Sequence, residues 1–87
     1  MQPTPPFWFK QRQAKAEPAG ADTILRLTGP NLPEAFITIG EGVDGHWRAA
    51  LRSTPDGDDV AATEPEFDNP TDAWDAAFEL YRTRVIV

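Results

Sequence analysis

The sequence predicts an α+β domain in which three or four antiparallel strands form a sheet and a single C-terminal helix packs on one face. Between residues 46 and 52, apolar and polar side chains alternate, as in a strand with one buried face. From residue 70 to about residue 82, apolar side chains recur every three or four positions, as on one side of a helix. Turns rich in glycine and proline separate the predicted strands, which is typical of a small antiparallel sheet.

The first part of the chain, residues 1–20, is predicted to be an extended arm that precedes a single domain over residues 21–87. Three of the first six residues are proline, which fixes φ and removes backbone donors. The triplet Phe7, Trp8 and Phe9 follows, and three adjacent aromatic side chains are costly to expose to water. We expect this triplet to pack either on the domain of its own chain or on another subunit or partner.

Strand-forming residues dominate four segments of the domain. The segments cover residues 23–28, 35–39, 46–52 and, as a candidate short fourth strand, 60–63. The third segment has the clearest pattern, because Trp47, Ala49 and Leu51 fall on one face. Arg48 and Arg52 fall on the opposite face, so the strand is expected to be buried on one side and exposed on the other.

The C-terminal helix has the strongest local signals in the sequence. Asn69 can cap the first turn, Pro70 suits the first helical position, and Asp72 occupies the acidic position of a capping box. Four residues form an apolar stripe that is expected to cover the apolar face of the third strand: Trp74, Ala77, Phe78 and Tyr81. The last residues, 85–87, are apolar and β-branched, and we expect them to dock on the core or on a partner.

Length and composition limit the possible functions. A chain of 87 residues folds around one modest core, which leaves little room for a deep internal cofactor pocket. The absence of cysteine excludes disulfides and thiol chemistry and favours a reducing compartment, so we expect a cytoplasmic location. No apolar run approaches the length of about 18 residues that a membrane span needs, and we expect no membrane partner.

Groups that could perform catalysis are scarce. The single His46 and the single Ser53 lie at opposite ends of one predicted strand, where they cannot form a catalytic pair. The acidic turn at residues 56–59 lacks the glycine and the final glutamate of a calcium loop. The carboxylates between residues 64 and 68 lie in a predicted exposed loop, whereas general acid–base catalysis by carboxylates requires burial. We therefore expect no enzyme, no cofactor and no metal site.

The sheet face that the helix leaves open is the better candidate for function. Arg48 and Arg52 lie on it, and Arg26 joins them if the first strand has the matching register. Arginine and aromatic residues are common interface anchors, and a partner strand can extend an uncovered sheet at its edge. The sequence thus predicts a non-enzymatic binding or regulatory module that contacts another protein, or a second copy of the chain, through this face and the aromatic arm.

Other interpretations remain open from the sequence. An arginine-bearing sheet backed by one helix is an arrangement that some DNA-reading domains use, although the net charge of −6 argues against phosphate binding. After residue 53 the chain has nine acids against Arg82 and Arg84, so this region could instead imitate a phosphate backbone and inhibit a nucleic-acid-handling protein. A solvated face without any partner is the third possibility.

Overall fold

The computed structural model describes the backbone of residues 3–86 and the side chains of residues 3–84. The elements are α1 (Phe7–Gln11), β1 (Lys15–Pro18), β2 (Ile24–Gly29), β3 (Leu32–Glu41), β4 (Trp47–Arg52), β5 (Asp59–Ala62) and α2 (Pro70–Tyr81), followed by a π-helical turn, Arg82–Ile86. The strands form one antiparallel sheet in the order β1-β2-β3-β4-β5. The predicted α+β fold is confirmed, with five strands rather than three or four.

The additional strand comes from the segment that the sequence predicted to be an extended arm. Pro6 is still extended, with φ −62° and ψ 157°, but the next residues form α1. β1 then pairs with β2, and Ala16 packs against the core. The structure thus differs from the predicted arm over residues 7–18, because packing of short apolar stretches on the core stabilises elements that are too short to form alone. Met1 and Gln2 lie outside the described residues.

The strand register gives the sheet two faces with different composition. The inner face, defined here as the face covered by α2, carries the buried side chains Leu25, Leu27, Ala35, Ile37, Ile39, Ala49 and Leu51. Trp47 is partly buried against the same cluster. The predicted apolar face of the third strand is therefore the face that packs under the helix.

Helix α2 is capped and oriented as its sequence predicts. The side-chain oxygen of Asn69 accepts the backbone N–H of Asp72 at 2.9 Å, and the Asn69 amide donates to the Asp72 carboxylate at 3.2 Å. The helix packs across β3 and β4. Its buried residues are Ala73, Trp74, Ala77, Phe78 and Tyr81, which confirms the predicted stripe. The expected docking of residues 85–87 concerns side chains outside the described residues.

Candidate functional site

The structure brings the three predicted arginines onto one surface. The outer face, defined here as the sheet face opposite α2, has a central row that crosses all five strands: Glu17, Arg26, Phe36, Arg52 and Asp59. Arg48 lies on the same face, in register with Gly40 of β3. The register that the sequence left conditional for Arg26 is thus present.

A single carboxylate binds both arginines of β4. Arg48 Nη2 donates to Asp59 Oδ2 at 2.9 Å, and Arg52 Nε donates to Asp59 Oδ1 at 2.8 Å. Arg52 Nη1 also donates to the carbonyl of Pro55 at 3.2 Å. The hydrogen bond from Arg52, and then that from Arg48, holds the pKa of Asp59 below its ordinary value. The carboxylate is therefore charged at neutral pH and neutralises part of the positive charge of the two arginines.

Asp59 reaches the arginines because β5 contains a β-bulge. Ala61 pairs with Leu51 on the inner face, yet the next pair along β4 joins Arg52 to Asp59, which leaves Val60 as an extra residue. In a regular strand without a bulge, Asp59 would share the inner face with Ala61, which is two residues away. The bulge thus moves the carboxylate to the outer face and leaves the Val60 side chain exposed.

Arg26 has its own partners on β3. Its Nε lies 3.4 Å from Glu34 Oε2, and its guanidinium carbon lies 5.6 Å from the centre of the Phe36 ring. The second distance is within the range of a cation–π contact. Neither Glu34 nor Phe36 was predicted from the sequence to be part of the site, although both alternate with the inner-face residues Ala35 and Ile37.

Below the charged groups, the outer face has an apolar floor. Ile24, Phe36 and Ala50 are all buried there, with Phe36 only 3% exposed. Phe36 lies between Arg26 and Arg52 in the register, so the aliphatic parts of these two side chains are placed to shield its ring. The face therefore combines buried apolar area with charged side chains that lie over it.

The outer face is less acidic than the rest of the molecule. Its charged side chains, in chain order, are Lys15, Glu17, Arg26, Glu34, Arg48, Arg52 and Asp59. Four of these are positive and three are negative, so the outer face has a formal charge of +1. Since the whole chain has a net charge of −6, the rest of the chain has a charge of −7. The face is thus a region of mixed charge on a strongly acidic molecule.

The aromatic triplet lies elsewhere, and its members have three different environments. Phe9 is 0% exposed, and its ring packs edge-to-face on Phe78 and Tyr81 of α2, with centroid distances of 5.2 and 6.0 Å. Trp8 is half-buried and packs edge-on against Phe9. Phe7 is 75% exposed. In this structure the triplet therefore packs within its own chain through Phe9, which is part of the core. Phe7 is the exposed member of the triplet.

Both edges of the sheet carry features that oppose pairing with another strand. β1 is only four residues long, and it begins with Lys15 and ends with Pro18. β5 is equally short and contains the bulge at Val60. Short edge strands, lysine, proline and bulges are the devices by which natural sheets avoid edge-to-edge contact. Extension of the sheet by a partner strand, which the sequence left open, therefore receives no support from these edges.

His46 lies between two exposed carboxylates at the end of the molecule that holds the β3–β4 turn. Its Nδ1 is 3.2 Å from Asp44 Oδ2, and its Nε2 is 3.6 Å from Asp68 Oδ1. The backbone N–H of His46, followed by its side chain, lowers the pKa of Asp44. Within residues 3–84, no three acidic or histidine side chains are grouped so that they could hold a metal ion. The described contacts of His46 thus connect a turn to the loop before α2.

The Tyr81 hydroxyl is a polar atom in an apolar environment. Its oxygen is fully buried and has no hydrogen-bond partner among the described residues. Desolvation by burial raises the pKa of this phenol. The hydroxyl lies in the core under α1 and α2, so it contributes neither to the outer face nor to the exposed surface at Phe7.

Comparisons of the chain with protein-family models, with curated proteins and with solved structures found no match. A functional assignment therefore depends on the geometry of this chain. In the part of the chain that the structure describes, no helix has the length and apolar character needed to cross a membrane.

Proposed function

We propose that the chain is a small protein-binding module without catalytic activity of its own. The outer face is its principal contact surface, and the exposed Phe7 is a second, separate contact. The observation that supports this proposal is the composition of the outer face, where an apolar floor lies under arginines that are held by carboxylates of the same face. Arginine beside buried aromatic area is a common composition of interface centres.

Mixed charge on this face favours a protein partner over a nucleic acid. Arg48 and Arg52 share Asp59, so a partner carboxylate can replace an existing ion pair, whereas a phosphate backbone would also meet the remaining acids. Glu34 has the same effect beside Arg26. A protein surface that offers carboxylates and one apolar side chain therefore complements the face better than a uniformly negative duplex does.

The test is affinity capture with the immobilised chain, followed by measurement of the affinity for each captured protein. Arg48→Ala/Arg52→Ala removes two guanidinium groups from the outer face, and we expect it to weaken binding by about tenfold or more. Arg82→Ala/Arg84→Ala is the matched control, because it removes the same charge from a region outside the sheet. Circular dichroism checks that both double variants fold.

Equal capture by wild type, the outer-face variant and the control would contradict the proposal. Gel shifts with labelled duplex DNA and RNA at about 150 mM salt test the main rival. Nucleic-acid binding that is lost in Arg48→Ala/Arg52→Ala but retained in the control would replace the protein-binding proposal with a nucleic-acid one.

A further inference from the structure

The N-terminal segment, residues 3–12, is attached to the domain through its side chains alone. Its backbone hydrogen bonds are local, as in the bonds from Phe9 N and Lys10 N to Pro6 O. Across the described part of the chain, no hydrogen bond or ion pair joins this segment to a residue beyond Ala14. Burial of Phe9 and partial burial of Trp8 are therefore what hold it in place.

The connection between α1 and β1 is a helix-ending motif that contains an unfavourable residue. Gln13 N donates to Lys10 O at 3.0 Å, and Ala14 N donates to Phe9 O at 3.3 Å. These two bonds define a Schellman motif, which needs a left-handed residue and usually uses glycine. Here Gln13 occupies that position with φ 59°. A residue with a Cβ is disfavoured in this left-handed conformation, so the closed connection is strained.

We propose that the N-terminal segment exchanges between two copies of the chain, with Gln13 as the hinge, so that Phe9 of each copy fills the core of the other. This deepens the proposed function, since it names a second copy as the partner of the aromatic segment. The exchanged form regains the same contacts, because identical residues meet in both forms. Opening the hinge also relieves the strain at Gln13, and higher protein concentration offsets the entropy lost on association.

The position of the hinge in the fold permits this exchange. β1 follows the hinge directly and is an edge strand, so within residues 3–86 no strand pairs with its free side. Residues 12–14, when extended, span about 10 Å, which separates the segment from its own domain while the second copy approaches this edge. Opening breaks the two hydrogen bonds of the hinge itself, from Gln13 N to Lys10 O and from Ala14 N to Phe9 O. Among the described residues, no polar contact between the segment and the chain beyond Ala14 has to break.

Two substitutions at Gln13 bias the hinge in opposite directions. Gln13→Gly removes the penalty for positive φ and stabilises the closed form. Gln13→Pro fixes φ near −65° and removes the N–H that Lys10 O accepts. It also disfavours the observed conformation of Arg12, with φ −87° and ψ 7°, because a residue before proline prefers an extended backbone. Asn31→Gly is the matched control, because Asn31 also has positive φ, 60°, but lies in the turn between β2 and β3.

Light scattering coupled to gel filtration, from about 10 µM to about 1 mM protein, measures the dimer fraction. We expect the fraction to rise in the order Gln13→Gly, wild type, Gln13→Pro, with the dimer Kd of Gln13→Gly about tenfold or more above that of wild type. Asn31→Gly should match wild type. When two samples that carry different fluorescent labels are mixed, dimers that contain both labels should form at a rate limited by hinge opening.

Monomers for every variant across this range would overturn the proposal. Dimers whose Kd is the same in Gln13→Gly and wild type would overturn it too, because association would then use another surface. If Gln13→Pro does not fold, the dimer Kd values of wild type, Gln13→Gly and Asn31→Gly still test the hinge. The outer-face variant Arg48→Ala/Arg52→Ala keeps the hinge, so its dimer fraction should equal that of wild type. This result does not depend on whether the outer face binds a protein partner, so the two proposals can fail separately.

Discussion

The two faces of the sheet bury apolar side chains by different means. On the inner face, α2 and Phe9 cover the strands with packed aromatic and aliphatic groups. No helix among the described residues covers the outer face, and Arg26 and Arg52 flank Phe36 instead. Phe9 and Phe36 are nearly equally buried, at 0% and 3% exposure. Burial by a packed helix and burial under long charged side chains should therefore have different consequences for stability and for binding.

The largest expected effect in this comparison is that of Phe9→Ala. Removal of the ring leaves a cavity between α1 and α2 that packed neighbours fill poorly, so unfolding should become easier by about 3–5 kcal/mol. Urea unfolding at micromolar concentration measures the change. Phe7→Ala is the control, since that exposed side chain should change stability by about 0.5 kcal/mol or less. Equal small effects of both changes would show that α1 contributes nothing to the core.

A smaller effect is expected from Phe36→Ala on the outer face. Arg26 and Arg52 can fold over the vacated space, because their side chains end in solvent and are not fixed by a helix. The loss of stability should therefore be about 1–2 kcal/mol, below the usual range for a buried phenylalanine. Urea unfolding of Phe36→Ala and Phe9→Ala under the same conditions compares the two losses of stability. A loss as large as that of Phe9→Ala would mean that the outer face is packed as rigidly as the core.

The sequence predicts the inner face well and the N-terminal elements poorly. α2 and β4 are both long enough for the helical or strand periodicity of their apolar residues to be recognised. Asn69 also marks the start of the helix, so local pattern and tertiary packing agree. α1 has five residues and β1 has four, which is too short for either period to be visible. Their formation depends on burial of Phe9 and Ala16 against distant residues, and no local pattern encodes those contacts.

The outer face shows the same limit at the level of single residues. Strand alternation predicts the common face of Arg48 and Arg52, and the register adds Arg26. Alternation in β3 could also have identified Phe36. Asp59 was not identifiable in this way, because the bulge in β5 reverses the alternation and a bulge leaves no clear signal in so short a strand.

The smallest expected effect concerns the ion-pair cluster of the outer face and depends on pH. The folded protein lowers the pKa of Asp59 below the unfolded value of about 3.9, so its ion pairs add stability above that value. This contribution disappears as pH falls through the lower, folded pKa. Asp59→Asn should therefore reduce stability at neutral pH by about 1 kcal/mol or less, and the difference from wild type should vanish in acid. Urea unfolding from about pH 7 to about pH 2 measures it.

Asp58→Asn is the matched control for this pH series, because Asp58 is an exposed neighbour with the same charge. Its stability should follow that of wild type at every pH. If Asp59→Asn remains less stable than wild type even where Asp59 is protonated, the carboxylate acts mainly through the shape of the bulge, since an amide and a protonated carboxyl differ little in charge. If the difference instead closes in acid, charge pairing across the outer face is what Asp59 contributes, and a partner that offers carboxylates to Arg48 and Arg52 competes directly with it.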